Sequence, residues 1–332
     1  MLKSHHKNLL ALCFLFAVEG VNADVKTSLT WAKADKAAIS KLATLAVKSD
    51  DMYEIVNSNW TVRTYYGRVF AAEASLFMEE FSGQIIMALL EKPVFKVKEK
   101  PILTIFDTAS KYYENSDAPE NSRGLCAYRY KSTPQGNSEW EINLYTYFEK
   151  NAGKEPEYSE CHLPIILHEG THAVIAKMFG EIVLPIWLNE GIACYYESMQ
   201  IKGGNKLSGA KTAILDVRAR QERTSRSFRP EIIKDYLIKW PGAKVSLEYL
   251  ASLSSEERWN PDSMGEKTGF NYALAESFID FLMSSQEGRM VLRKIISQVS
   301  SGTDYAVIAA SIKTLDPKWK AYLANIWKVR IK

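Results

Sequence analysis

The sequence predicts an α+β chain: a strand-rich first part, residues 24–159, then a mainly helical part, residues 160–332. Three observations carry this. Tyr53 to Tyr66, Leu125 to Tyr130 and Trp140 to Tyr147 read as strands, and in the last Trp140, Ile142 and Leu144 alternate with Glu141, Asn143 and Tyr145. Beyond Cys161 the pattern is mostly helical. At the junction lie His162, His168 and His172, three of the five histidines, within eleven positions.

The elements follow in order. Met1 to Lys7 is charged, Leu9 to Val18 is almost wholly apolar, and Val21-Asn22-Ala23 ends in a small residue. This is the layout of a secretory signal peptide, 1–23, with cleavage after Ala23 and a secreted or periplasmic product. The run is too short for a comfortable membrane span, and Leu12 ahead of Cys13 is too large for a usual lipoprotein site. No second long apolar stretch follows, so no stable membrane insertion is expected after cleavage. Removal of Lys3, Lys7 and Glu19 lowers the formal charge of +3 by one, which offers little to nucleic acid or another polyanion.

Ala32 to Lys48 reads as a helix, and Tyr53 to Tyr66 as a strand pair or one long strand. Arg68 to Leu90 places Phe70, Ala74, Phe77, Met78, Phe81, Ile85 and Leu89 at spacings of three and four, the mark of a long amphipathic helix. Val94 to Phe106 is a strand region interrupted at Pro101, and Ala118 to Arg123 is polar loop. Of the cysteines left after cleavage, Cys126 and Cys161 are the expected disulfide and Cys194 the odd thiol. Asn59-Trp60-Thr61 fits a glycosylation acceptor, one that a bacterium would be expected to leave idle.

Residues 163–179, LPIILHEGTHAVIAKMF, form one helical pattern stopped by Gly180. His168 and His172 are four apart, which stacks both imidazoles on one face where they can share a metal ion. Glu169 is turned too far round to ligate the same ion and is suited to hold a reacting water: the H-E-x-x-H arrangement. Apolar flanks (Ile165, Ile166, Leu167, Ala173, Val174, Ile175) predict a buried helix, and buried imidazoles need partners. After a connection with Pro185 a second helical pattern, Leu188 to Met199, carries Glu190 near its start, where a chain reversal brings it opposite the histidines. His, His and Glu with an open fourth position is a catalytic zinc set. Glu181 and Glu197 are alternative third ligands, and His162 reads as a cap or surface residue.

"HEGTH" followed by "WLNEGIACYYE" resembles the glutamate-type zincins (gluzincins), whose third ligand lies in an N-E-G-x-A segment, here Asn189 to Ala193. The resemblance is sharp over Leu163 to Glu197. More loosely, "FAAEASLFMEEF", "FNYALAESFIDFL" and "LDPKWKAYL" are similar to segments of little-characterised secreted bacterial members. It implies a zincin-like fold, a mixed sheet packed on two metal-bearing helices, and a secreted zinc metallopeptidase, an endopeptidase acting on peptide or protein substrates. Residues 160–332 are then the zinc-binding catalytic subdomain, and 24–159 an N-terminal α/β subdomain. The chain departs from relatives in three places. Seventeen residues separate His172 from Glu190, one fewer than in the aminopeptidase branch; no G-x-M-E-N segment is present; and Cys194 stands where thermolysin-like relatives carry an acidic residue.

In the implied mechanism Glu169 is the general base and later proton donor. The oxyanion donor comes from a later helix. No histidine follows His172, and Tyr272 matches the family position best. Tyr272 also fits a core tyrosine beside Leu274, Phe278 and Phe281. An arginine of the run Arg218, Arg220, Arg223, Arg226 and Arg229 is the alternative donor, and a solvated helix face the plainer reading of that run. The contrasting function is a catalytically inactive zincin-fold protein, a zinc-stabilised binding module; a purely structural site has no use for Glu169.

Overall fold

The computed structural model describes residues 36–90, 95–120, 122–132, 138–148, 162–198, 229–261 and 265–331. The expected signal peptide, Cys161, and Arg218, Arg220, Arg223 and Arg226 lie outside them. Among the described residues no helix is long and apolar enough to cross a membrane. The chain is mixed α and β. Its strands all precede residue 148, and every described element from His162 onward is a helix. The contacts divide it into two compact units: described residues 36–82 and 95–180, and described residues 83–90, 181–198 and 229–331.

The first unit holds α1 (Lys36–Ala43), β1 (Val47–Ser49), β2 (Met52–Val56), β3 (Thr61–Thr64), most of α2 (Arg68–Leu89), β4 (Ile102–Phe106), α3 (Ala109–Ser116), β5 (Gly124–Ser132), β6 (Ser138–Tyr147) and α4 (His162–Phe179). The six strands form one open mixed sheet in the order β1-β2-β3-β4-β6-β5. β3, β4 and β6 run parallel, and β5 is an antiparallel edge strand on β6. The expected strand pair is β2 and β3, joined antiparallel, and the expected long helix is α2. The first helix stops at Ala43 instead of Lys48, because residues 47–49 pair with β2 across a turn at Asp50, whose φ is 52°. Cross-strand hydrogen bonding there overrides local helix propensity. Helix α3 is not foreseen by periodicity. Its start rests on the Thr108 side chain, which accepts from the Lys111 N–H at 3.2 Å.

Alternation along β6 divides the sheet's faces. Tyr147 packs on Tyr112 of α3. Leu144, three residues away and so on the opposite face, approaches Gly170 of α4. Gly124 and Cys126 pair with Thr146 and Leu144, so both face α4. That strand–helix contact is close enough to exclude any side chain at residue 124: a Cβ there would overlap Ile165 Cγ2 and stand 3.2 Å from Glu169 Cγ. On α2, Glu79 accepts from the Asn59 backbone N–H (2.5 Å) and the Asn59 side-chain amide (2.7 Å), and Lys177 of α4 donates to the Asn59 carbonyl at 3.3 Å. The expected glycosylation acceptor is thus built into the packing of α2 and α4. Helix α4 ends as expected at Gly180, whose φ of 59° suits only a residue without a Cβ penalty.

The second unit takes in the end of α2, α5 (Ile186–Glu197), α6 (Arg229–Lys239), α7 (Leu247–Ser252), α8 (Glu256–Trp259), α9 (Glu266–Met283), α10 (Gln286–Ser300), α11 (Tyr305–Lys313) and α12 (Asp316–Asn325). Helix α9 is its centre, buried nearly from end to end. It packs most intimately on α5. A Cβ on Gly191 would stand 2.9 Å from Ile279 Cγ1 and 3.0 Å from the Ala275 carbonyl oxygen, so the glycine permits the close crossing. Asp280 of α9 accepts from Tyr322 (2.7 Å) and Trp327 (3.0 Å), which ties the C-terminal segment to the central helix.

Candidate metal centre

Each site residue is positioned by a helix whose burial follows from its apolar flanks. On α4, His168, Glu169 and His172 are all buried, with Glu169 fully inaccessible. One helical turn stacks the two imidazoles, with ring centroids 4.9 Å apart and planes inclined at 75°. Glu190 stands on the second turn of α5 and is buried as well. His168, His172 and Glu190 each offer a ligand atom, and these atoms lie within 4.8 Å of one another. The three residues expected to share an ion are therefore brought together.

The donor set fits a divalent metal on chemical grounds. Two imidazole nitrogens and one carboxylate oxygen are the borderline-soft and hard donors that zinc accepts. Three polar side chains without access to bulk water are costly to bury unless something compensates them. Of the alternatives, Glu181 is exposed. Glu197 belongs to a second possible group with His168 and Cys194, but its carboxylate is engaged by Arg229 at 2.9 Å, which favours Glu190 as third ligand. His162 opens α4, and its side chain lies outside the described ones.

Glu169 is anchored from the sheet. Its Oε2 accepts the backbone N–H of Cys126 at 2.9 Å, a donor on the edge strand β5. This partner, forty-three residues away in sequence, leaves no local signal. Cys126 is a free, buried thiol among the described residues, and its expected partner Cys161 lies outside them. Its side chain faces α4 from the inner side of β5 and is wholly inaccessible. Burial, reinforced by the Glu169 charge and opposed by His168, pushes its pKa well above the usual thiol range. Cys194, the expected odd thiol, is buried on α5.

Tyr272 lies on α9, almost wholly buried, with its ring edge-on to Trp259 at 4.9 Å between centroids. The Arg229 guanidinium carbon lies 6.0 Å from the Tyr272 ring centroid. Arg229 is the member of the arginine run that the described residues contain, and it is buried in helix contacts, not displayed on a solvated face. Glu256, on the short helix α8, has its pKa raised by partial burial and by the charge of Glu190. No family model and no curated protein matches this chain.

Proposed function

We propose that this protein is a secreted zinc metallopeptidase of gluzincin type that hydrolyses peptide bonds, with a zincin-like fold. The observation that carries the reading is the buried group His168, His172 and Glu190, with ligand atoms within 4.8 Å, beside a fully buried Glu169 that does not belong to that group. A structural site is served by its ligands alone; a buried carboxylate adjoining them suits proton transfer.

His168, His172 and Glu190 would hold zinc, which supplies Lewis acidity and a water of lowered pKa when bound. The chain's own residues do the rest. The Cys126 N–H fixes Glu169 through Oε2, so that the carboxylate keeps one orientation, and proton transfer is assigned to Oε1. Glu169 takes a proton from the attacking water and returns it to the departing amine. Tyr272 donates its phenolic proton in a hydrogen bond to the oxygen that becomes negative as the carbonyl is attacked. Burial of the site strengthens both interactions by excluding competing water.

Glu169→Gln tests the reading. The amide keeps the size and accepts the Cys126 N–H but cannot take the proton. Zinc content and fold should be retained, and hydrolysis of a peptide library should fall by about a hundred- to ten-thousand-fold. Loss of zinc together with activity would make Glu169 structural. A wild-type protein that holds zinc and cleaves nothing would favour the zinc-stabilised binding module.

A further inference from the structure

Helices α5 and α9 carry two of the residues to which the proposed function assigns roles, Glu190 and Tyr272. A third element of the same unit joins them. Arg229, at the start of α6, places Nη2 at 2.9 Å from Glu197 Oε2 on α5 and Nε at 2.5 Å from Glu276 Oε2 on α9. Ser198, which follows α5, donates to the other oxygen of Glu276 at 2.5 Å. The side chains are 16% exposed for Arg229, 12% for Glu197 and 2% for Glu276, so the group works out of bulk water.

We propose that Arg229 is a positioning residue whose guanidinium clamps α5 to α9 and so sets the orientation of the third ligand Glu190 relative to the donor Tyr272. The inference rests on the reading of Glu190 and Tyr272 given above. The helical spacing makes the argument. Glu190 and Glu197 are seven apart on α5, two turns along one face. Tyr272 and Glu276 are four apart on α9, one turn along one face. A bridge between Glu197 and Glu276 therefore acts on the same faces that present Glu190 and Tyr272. The crossing at Gly191 fixes the separation of the helices, but smooth contact at a glycine does little to stop one helix from rotating about its axis. On α5 the clamp lies nearly two turns beyond Gly191, while on α9 Glu276 directly follows Ala275 at the crossing, and this off-centre tie supplies that restraint.

Only an arginine does this well. Its planar fork offers separate N–H groups to two carboxylates at fixed angles, whereas a lysine presents one compact charge on a flexible stem. The guanidinium stays charged despite burial. Burial opposes its charge, and Cys194, Glu197, Glu276 and Tyr272 together outweigh that and raise its pKa.

The test reads zinc affinity by competition with a chromophoric chelator on the full mature chain, alongside kcat and KM where hydrolysis is seen. Arg229→Lys should weaken zinc binding by about ten- to a hundred-fold, the range over which ligand-orienting partners act, and lower kcat more than it raises KM. Arg229→Met alone leaves two buried carboxylates without their cation and is at risk of not folding. The neutral triple variant Arg229→Met, Glu197→Gln, Glu276→Gln removes that hazard and should show the same loss of zinc affinity with a native circular dichroism spectrum. Methylguanidinium should restore zinc affinity to Arg229→Ala but not to Arg229→Ala, Glu276→Gln. A native circular dichroism spectrum of Arg229→Ala before methylguanidinium is added separates this rescue from a recovery of folding. Wild-type zinc affinity in a folded Arg229→Lys or triple variant overturns the clamp. A wild-type chain that binds no zinc overturns the function reading and the clamp with it. A wild-type chain that binds zinc without hydrolysis overturns only the peptidase reading, and the zinc measurements still decide the clamp.

Discussion

Substitution of Gly124 by alanine probes the contact that seats Glu169, the proposed general base. Gly124 needs space and not an unusual backbone: an added Cβ would overlap Ile165 Cγ2 and stand 3.2 Å from Glu169 Cγ. The γ2 methyl is fixed to a branched Cβ in a helix, where isoleucine holds one strongly preferred rotamer, so it cannot swing aside. Either β5 or α4 must retreat. Forced overpacking of this kind costs about 1–3 kcal/mol, and the rigidity of the neighbour puts Gly124→Ala near ~3 kcal/mol. If the strand retreats far enough to break the 2.9 Å bond from Cys126 N–H to Glu169, a hydrogen bond to a charged group is lost as well, worth another ~1.5–3 kcal/mol. At roughly 2–4 °C per kcal/mol for domains of this scale, calorimetry should show Tm lower by at least about 6 °C. Displacement of Glu169 by ~1 Å should also cost about a hundred-fold in turnover. Ile165→Ala removes the clashing methyl, so the double variant Gly124→Ala, Ile165→Ala should be more stable than the single costs predict, with a coupling of about 1–3 kcal/mol. An unchanged Tm for Gly124→Ala, or strict additivity in the cycle, would refute the close-contact account of how Glu169 is held.

Three further outcomes are expected. The double variant His168→Ala, His172→Ala should lose the ion, and elemental analysis finding full zinc occupancy in it would remove these residues from the site. Tyr272→Phe should lower turnover about a hundred- to a thousand-fold with KM little changed, since loss of one oxyanion donor is worth about 3–4 kcal/mol; steady-state kinetics with an unchanged rate would exclude Tyr272 from the reaction. Cys126, inaccessible and with its thiol pKa raised well above the usual range, should resist iodoacetamide in the native protein and react only after unfolding; peptide mapping that finds native labelling at Cys126 would contradict its placement under α4.

What the sequence alone determined is what short-range geometry controls. The four-residue spacing of His168 and His172 decides their shared face once the segment is a helix, and the apolar flanks decide that the helix is buried. Alternation in Trp140 to Tyr147 and three-four spacing in Arg68 to Leu90 are local patterns, and they became β6 and α2. Glu190 was legible because it sits in a short segment near the start of the next helix. The tertiary structure decided what depends on residues far apart in the chain. The first helix yielded at Ala43 to a strand pairing that no propensity encodes. The anchor of Glu169 is a backbone N–H, and every residue but proline has one, so no side-chain pattern could single out Cys126. Gly124 is demanded by the radius of a helix crossing above it. Glu197, Arg229 and Glu276 come from three separate helices, and only the packing of those helices makes one buried ionic group of them. Arg229 accordingly read as part of a solvated run, because charge along a sequence says where cations are and folding says which of them must be paired.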